Sequence, residues 1–198
     1  MNKARLEAFS DGVLAIIITI MVLELKTPHE PTLHALLSLW NIFVSYIMSF
    51  IFVGIYWGNH HHLLHTVHHV NSKIIWANMG LLFTISLIPF TTAFLGENHF
   101  ESIPMAAYSV NLFICAVSYF ILQKTIMAHY THSTKLIEAL KKQEKKGMMS
   151  LLLYIACFIA SFFSVAVSEV LVVVVSIMWI LPDKNIERAL KDEMENRK

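Results

Sequence analysis

Apolar residues occur along this chain in long blocks, separated by short polar stretches that hold most of the charge. A hydrocarbon core about 30 Å thick needs roughly 20 helical residues to cross it. Four blocks meet that length: Ala4–Leu25, Leu33–Trp57, Ile74–Leu95 and Ile103–Met127. A fifth, Met148–Leu181, has 34 residues, about 51 Å as one helix at 1.5 Å per residue. That overshoots a bilayer, so two short helices are expected, with Ser161, Ser164, Ser168 and Glu169 as candidate turn positions. Between the fourth and fifth blocks, Ser133–Lys146 reads as a short amphipathic helix with Leu136, Ile137 and Leu140 on one side. Pro89 is expected to kink the third span, and Pro182 to end the last.

Charge decides how often the chain crosses. Of 15 basic residues only Lys26 falls outside if six helices cross and both termini are cytoplasmic. Five crossings would export the basic tail, against the preference for lysine and arginine on the cytoplasmic side. The expectation is an all-α, polytopic membrane protein: a six-helix domain over 1–182, with a linker helix near 131–147 and a short tail at 183–198. Trp40, Trp57, Trp76 and Trp179 fall near predicted helix ends, where aromatic belts sit. The acids before the first apolar stretch, and the absence of a small-residue cleavage site after it, argue against a cleavable signal peptide.

Composition agrees. Hydrophobic residues make up 56% of the 198, charged residues 15%, and mean hydropathy is +0.59. Net charge of +1 gives no reason to expect a nucleic-acid partner. Cys115 and Cys157 lie inside apolar blocks and read as small hydrophobes rather than a disulfide. No Ser-His-Asp or Cys-His arrangement and no phosphate-binding glycine loop stands out, so no enzyme and no cofactor are expected. Gly54 and Gly58 form a weak helix-approach motif.

The first helix is unusual. Only 12 uncharged residues, Gly12–Leu23, separate Asp11 from Glu24, and charge at membrane depth normally faces protein or water. At 100° per residue, Glu7, Ser10 and Asp11 share one face, while Ile16, Thr19, Ile20 and Leu23 share the opposite one. Periodicity alone fits ordinary packing for the stripe and a hydrogen-bond cluster for the acids. The sequence Arg5-Leu6-Glu7-Ala8-Phe9-Ser10-Asp11-Gly12 resembles the R-x-x-x-F-S-D-G signature of the transmembrane protein 175 family of endosomal and lysosomal potassium channels and their bacterial relatives. Trp57-Gly58-Asn59-His60-His61-His62 and Trp179-Ile180-Leu181-Pro182-Asp183 extend the similarity.

That resemblance implies a homotetramer in a prokaryotic plasma membrane, passing potassium ions along an axis lined by the first helix. Carried onto matching positions, the constriction is Ile16, Ile20 and Leu23, with hydroxyls from Thr19. Arg5, Phe9, Ser10, Asp11 and Gly12 then form a packing network, with Trp57 and His61 among the helix-two donors for Asp11. No T-V-G-Y-G carbonyl filter is present, so selectivity would be modest. Glu24 sits where it would concentrate cations or simply end a helix.

Two alternatives stand beside this. His60, His61, His62, His65, His68 and His69 include i,i+4 pairs suited to zinc, or to a pH response because histidine titrates near neutrality. A secondary or metal-ion transporter using that cluster, and a proton-permeable channel, are therefore the competing functions. A transporter would normally add internal repeats, broken helices and charged midplane residues, none of which the sequence shows convincingly.

Overall fold

The structure is a computed structural model that describes residues 2–67, 69–128 and 134–180, without the side chains of 134–137 and 139. All its regular elements are helical: α1 (Lys3–Met21), α2 (Leu33–Leu37), α3 (Trp40–His65), α4 (Ser72–Ser86), α5 (Ile88–Glu97), α6 (Ser102–Met127), α7 (Thr134–Ala160) and α8 (Val165–Ile180). Side-chain oxygens fix three of the starts by accepting orphan backbone N–H groups. Asn2 accepts from Arg5 N, Thr32 from Ala35 N and Asn71 from Ile74 N.

Among the described residues, four segments are long and apolar enough to cross a membrane: Lys3–Glu24, Trp40–His65, Ser72–Glu97 and Ser102–Met127. The second starts and ends later than the Leu33–Trp57 expectation. Residues 33–37 form their own short helix, and α3 continues eight residues past Trp57 to His65. The third is α4 and α5 joined at Leu87. Pro89 sits in the first turn of α5 and has no N–H to give the Ile85 carbonyl, which breaks the ladder there. Asn111 on α6 caps the break. With its amide oriented to satisfy both sides, it donates to Thr84 O and accepts from Ile88 N, each at 3.1 Å.

The Met148–Leu181 block folds as a hairpin. Helix α7 ends at Ala160, the chain turns at residues 161–164, and α8 follows. Of the candidate turn residues, Ser161 and Ser164 are therefore in the turn, while Ser168 and Glu169 lie inside α8. Ser168 is buried and donates to Cys157 O at 2.8 Å, clamping the two arms together. The lysine-rich stretch is not a separate helix in this structure. It runs unbroken from Thr134 into the apolar half of α7, and Leu140 is buried. Leu136 and Ile137, the side chains expected beside Leu140, lie outside the described ones, as do Pro182 and the 183–198 tail.

Helix α6 lies at the centre, packing on α4, α5, α7 and α8, and α3 packs on α5, α1 and α8. Among the described residues, helix α1 packs chiefly on α3, α4 and α5. One of its faces is therefore left uncovered.

Candidate functional site

Helix α1 divides along its length. Leu6, Ser10, Leu14, Ile17 and Met21, spaced three or four apart, are buried. The opposite face carries Arg5, Phe9, Gly12, Ile16, Thr19, Ile20 and Leu23, all exposed. Ile16 is 60% exposed, Ile20 41% and Leu23 73%, against 3% or less for the four buried apolar residues. The difference is large enough to define a stripe rather than scattered surface hydrophobes. The Thr19 hydroxyl donates to Ile16 O at 2.9 Å, which leaves its oxygen lone pairs on the exposed side.

A polar anchor holds the other face. Ser10 donates to Leu6 O at 2.8 Å and accepts from Asn78 Nδ2 at 2.9 Å. The Asn78 oxygen pairs with His60 Nε2 at 2.6 Å. All three side chains are buried, so α1, α3 and α4 are joined by a satisfied network where unsatisfied polar groups would be costly. Beside it Trp57 Nε1 donates to Asp11 Oδ1 at 3.0 Å. Lower on the same side, Glu7 Oε1 lies 3.8 Å from Lys3 Nζ and 3.6 Å from His65 Nδ1, and Lys3 donates to His65 O at 2.8 Å.

The signature residues thus serve two different surfaces. Ser10 and Asp11 belong to the anchor; Arg5, Phe9 and Gly12 share the exposed face with Ile16 and Ile20. Of the donors expected for Asp11, Trp57 is in place. His61 is not: it is exposed, with its ring 6.5 Å from Trp57 and 5.2 Å from His65. The buried position belongs to His60, one residue earlier, together with Asn78. The sequence names His60 only as one of a histidine cluster and gives Asn78 no role, although a lone amide in an apolar run at membrane depth is itself a signal for a polar partner. Among the described residues, no three histidine, cysteine, aspartate or glutamate side chains are grouped to hold a metal. His68 lies outside them. Glu24 is half-buried in a single turn of 3-10 helix, Val22–Glu24, that ends α1.

Comparison with known proteins follows this geometry. The family model for the endosomal/lysosomal potassium channel TMEM175 matches residues 5–89, the stretch that contains the stripe and its anchor. A protein of Chryseobacterium sp., named a potassium channel, is 46% identical over 192 residues, covering 97% of this chain and all of the relative. The chain belongs to the TMEM175 family. A potassium channel of Chamaesiphon minutus is 30% identical over 84% of this chain and 88% of its own length. A crystal structure of a lysosomal potassium-selective channel TMEM175 homolog from that organism superposes with a TM-score of 0.79 at 29% identity, covering 89% of this chain and 95% of that one. The mouse endosomal/lysosomal proton channel TMEM175 is 28% identical over 91% of this chain, which spans 41% of the mouse protein. The protein is a membrane protein with the TMEM175 channel fold.

Proposed function

We propose that four copies of this chain assemble in a prokaryotic plasma membrane around a common axis, each crossing six times with both ends cytoplasmic. The exposed stripe of α1 faces the axis, and potassium ions pass along it. The observation that carries this reading is the stripe itself: Ile16, Thr19, Ile20 and Leu23 are exposed among the described residues while the opposite face is anchored. A second copy's stripe is a chemically matched cover for such a face.

Physically, rings of isoleucine and leucine drawn close together expel water, and a dewetted constriction blocks ions. Conduction then requires the rings to part enough to admit a partly hydrated cation. The Thr19 oxygens, one per copy, replace some of the water an ion sheds, which favours potassium because it holds its shell less tightly than sodium. Discrimination would be modest, since no cage of backbone carbonyls is available. Proton permeation is the alternative, favoured by the similarity to a mouse protein named a proton channel.

Liposomes loaded with potassium and reconstituted with the protein test the reading, with a pH dye reporting proton entry in the same vesicles. Ile20→Asn should raise potassium flux by wetting the constriction, and Thr19→Ala should lower potassium-over-sodium preference. Unchanged flux and preference in both variants would remove the stripe from the conduction path. Proton entry without potassium efflux would decide for the alternative.

A further inference from the structure

Away from α1, a crevice open on one side lies between α3, α6, α7 and α8, lined by Phe52, Asn59, Phe120, Gly147, Ser150 and Trp179 among others. The walls are aromatic and aliphatic, with a few polar groups at one end. Trp179 donates to Ser150 Oγ at 2.8 Å, so the indole is locked as one wall. Over that indole sits the ammonium of Lys146, 4.6 Å from the ring centroid. The charged residues near this rim are mainly basic: Lys141, Lys142, Lys145 and Lys146 all lie on the adjoining turns of α7. Glu144 is held by Lys124 at 2.7 Å, and Glu138 is nine residues away from Gly147 along the helix.

A greasy slot beneath a cluster of lysines, placed where α7 changes from polar to apolar, has the two chemistries of an anionic lipid. We propose that the crevice holds one acyl chain of an anionic phospholipid, with the phosphate beside Lys146. That the leaflet is cytoplasmic rests on the topology proposed above; the site does not depend on ion conduction. Its occupancy bears on α1 through α3. Phe52, Tyr56 and Asn59 face the crevice, while Trp57 and His60, on the neighbouring face of the same turns, hold Asp11 and, through Asn78, Ser10.

Gly147 offers a selective way to close the slot. A Cβ added there meets nothing within 4 Å, so Gly147→Leu fills empty volume, and the change favours the helix. The assembled protein is equilibrated with equimolar phosphatidylglycerol and phosphatidylcholine, and bound lipid is read by native mass spectrometry. Wild type should retain phosphatidylglycerol in preference by about five-fold, the effect of one lysine near an anionic surface. Lys146→Gln should erase that preference while phosphatidylcholine binding persists. Gly147→Leu should lose both lipids at an unchanged melting temperature; if it does not fold, Ala116→Leu narrows the slot from α6. Equal retention of the two lipids by wild type, undiminished lipid in the filled variant, or no bound lipid at all because a neighbouring copy occupies the crevice would each overturn the proposal. Potassium flux in the same vesicles is scored separately, so lipid retention without flux would count against the conduction reading alone.

Discussion

Asn78 presents its two amide atoms to different helices, donating to Ser10 on α1 at 2.9 Å and pairing its oxygen with His60 on α3 at 2.6 Å. One buried side chain on α4 thereby fixes both the height and the rotation of α1, and rotation decides which residues the stripe exposes.

Asn78→Leu leaves the Ser10 hydroxyl and the His60 ring without this partner in a dry site. The expected cost is about 2–3 kcal/mol, since the buried His60 nitrogen loses its partner while Ser10 keeps its bond to Leu6 O and loses only the one it accepts. Thermal melting in detergent checks it. His60→Leu in the same background should add much less than it does alone, because both changes break one network. Full additivity would show that the pair does not act as a unit.

Trp57→Phe keeps the ring at the interface and removes only the N–H that reaches Asp11. Asp11 is partly exposed, so the loss should be small, about 1 kcal/mol. Trp57→Leu should cost more, since the contact with the His61 ring goes too. Equal melting temperatures for wild type and Trp57→Phe would show that the bond contributes nothing.

Much of this was legible beforehand. Block lengths placed four long spans, the second displaced toward the C-terminus, a 100° period gave the stripe, Pro89 gave the kink, and two of the four candidate turn residues, Ser161 and Ser164, are in the final turn. The rest depends on contacts that no single segment encodes. His60 and His61 are adjacent and chemically identical; only the rotation of α3 against α4 decides which is buried. Arg5, Phe9 and Gly12 share a helical angle with Ile16 and Leu23, yet the signature runs through Ser10 and Asp11 as though it were one surface. Helix α7 was divided because its halves differ in hydropathy, but Thr134–Ala160 contains no proline and one glycine, so the backbone has no reason to stop.

Asn111→Leu should uncover what repairs the Pro89 break. Without the amide, Thr84 O and Ile88 N lose their partner on α6. A loss of about 2 kcal/mol is expected, read as a lower melting temperature. Pro89→Ala restores a donor for the Ile85 carbonyl, so combined with Asn111→Leu it should recover part of the loss. No recovery would separate the asparagine from the kink.

Gly96 marks the tightest crossing of α3 and α5. A Cβ there would collide with Ser45 Oγ and lie 3.0 Å from Ile42 Cα. Because backbone as well as side chain is in the way, Gly96→Ala should cost about 1–3 kcal/mol. Ser45→Ala should relieve only part of it; complete rescue would mean that the backbone contact is soft.

The continuity of α7 makes it a stiff rod, with a lysine-bearing end and a greasy end pinned to α8 by Ser168. Such a rod transmits tilt. Any tilt of one end is carried to the α7–α8 hairpin and to α6 beside it, with no proline between Thr134 and Ala160 to act as a hinge.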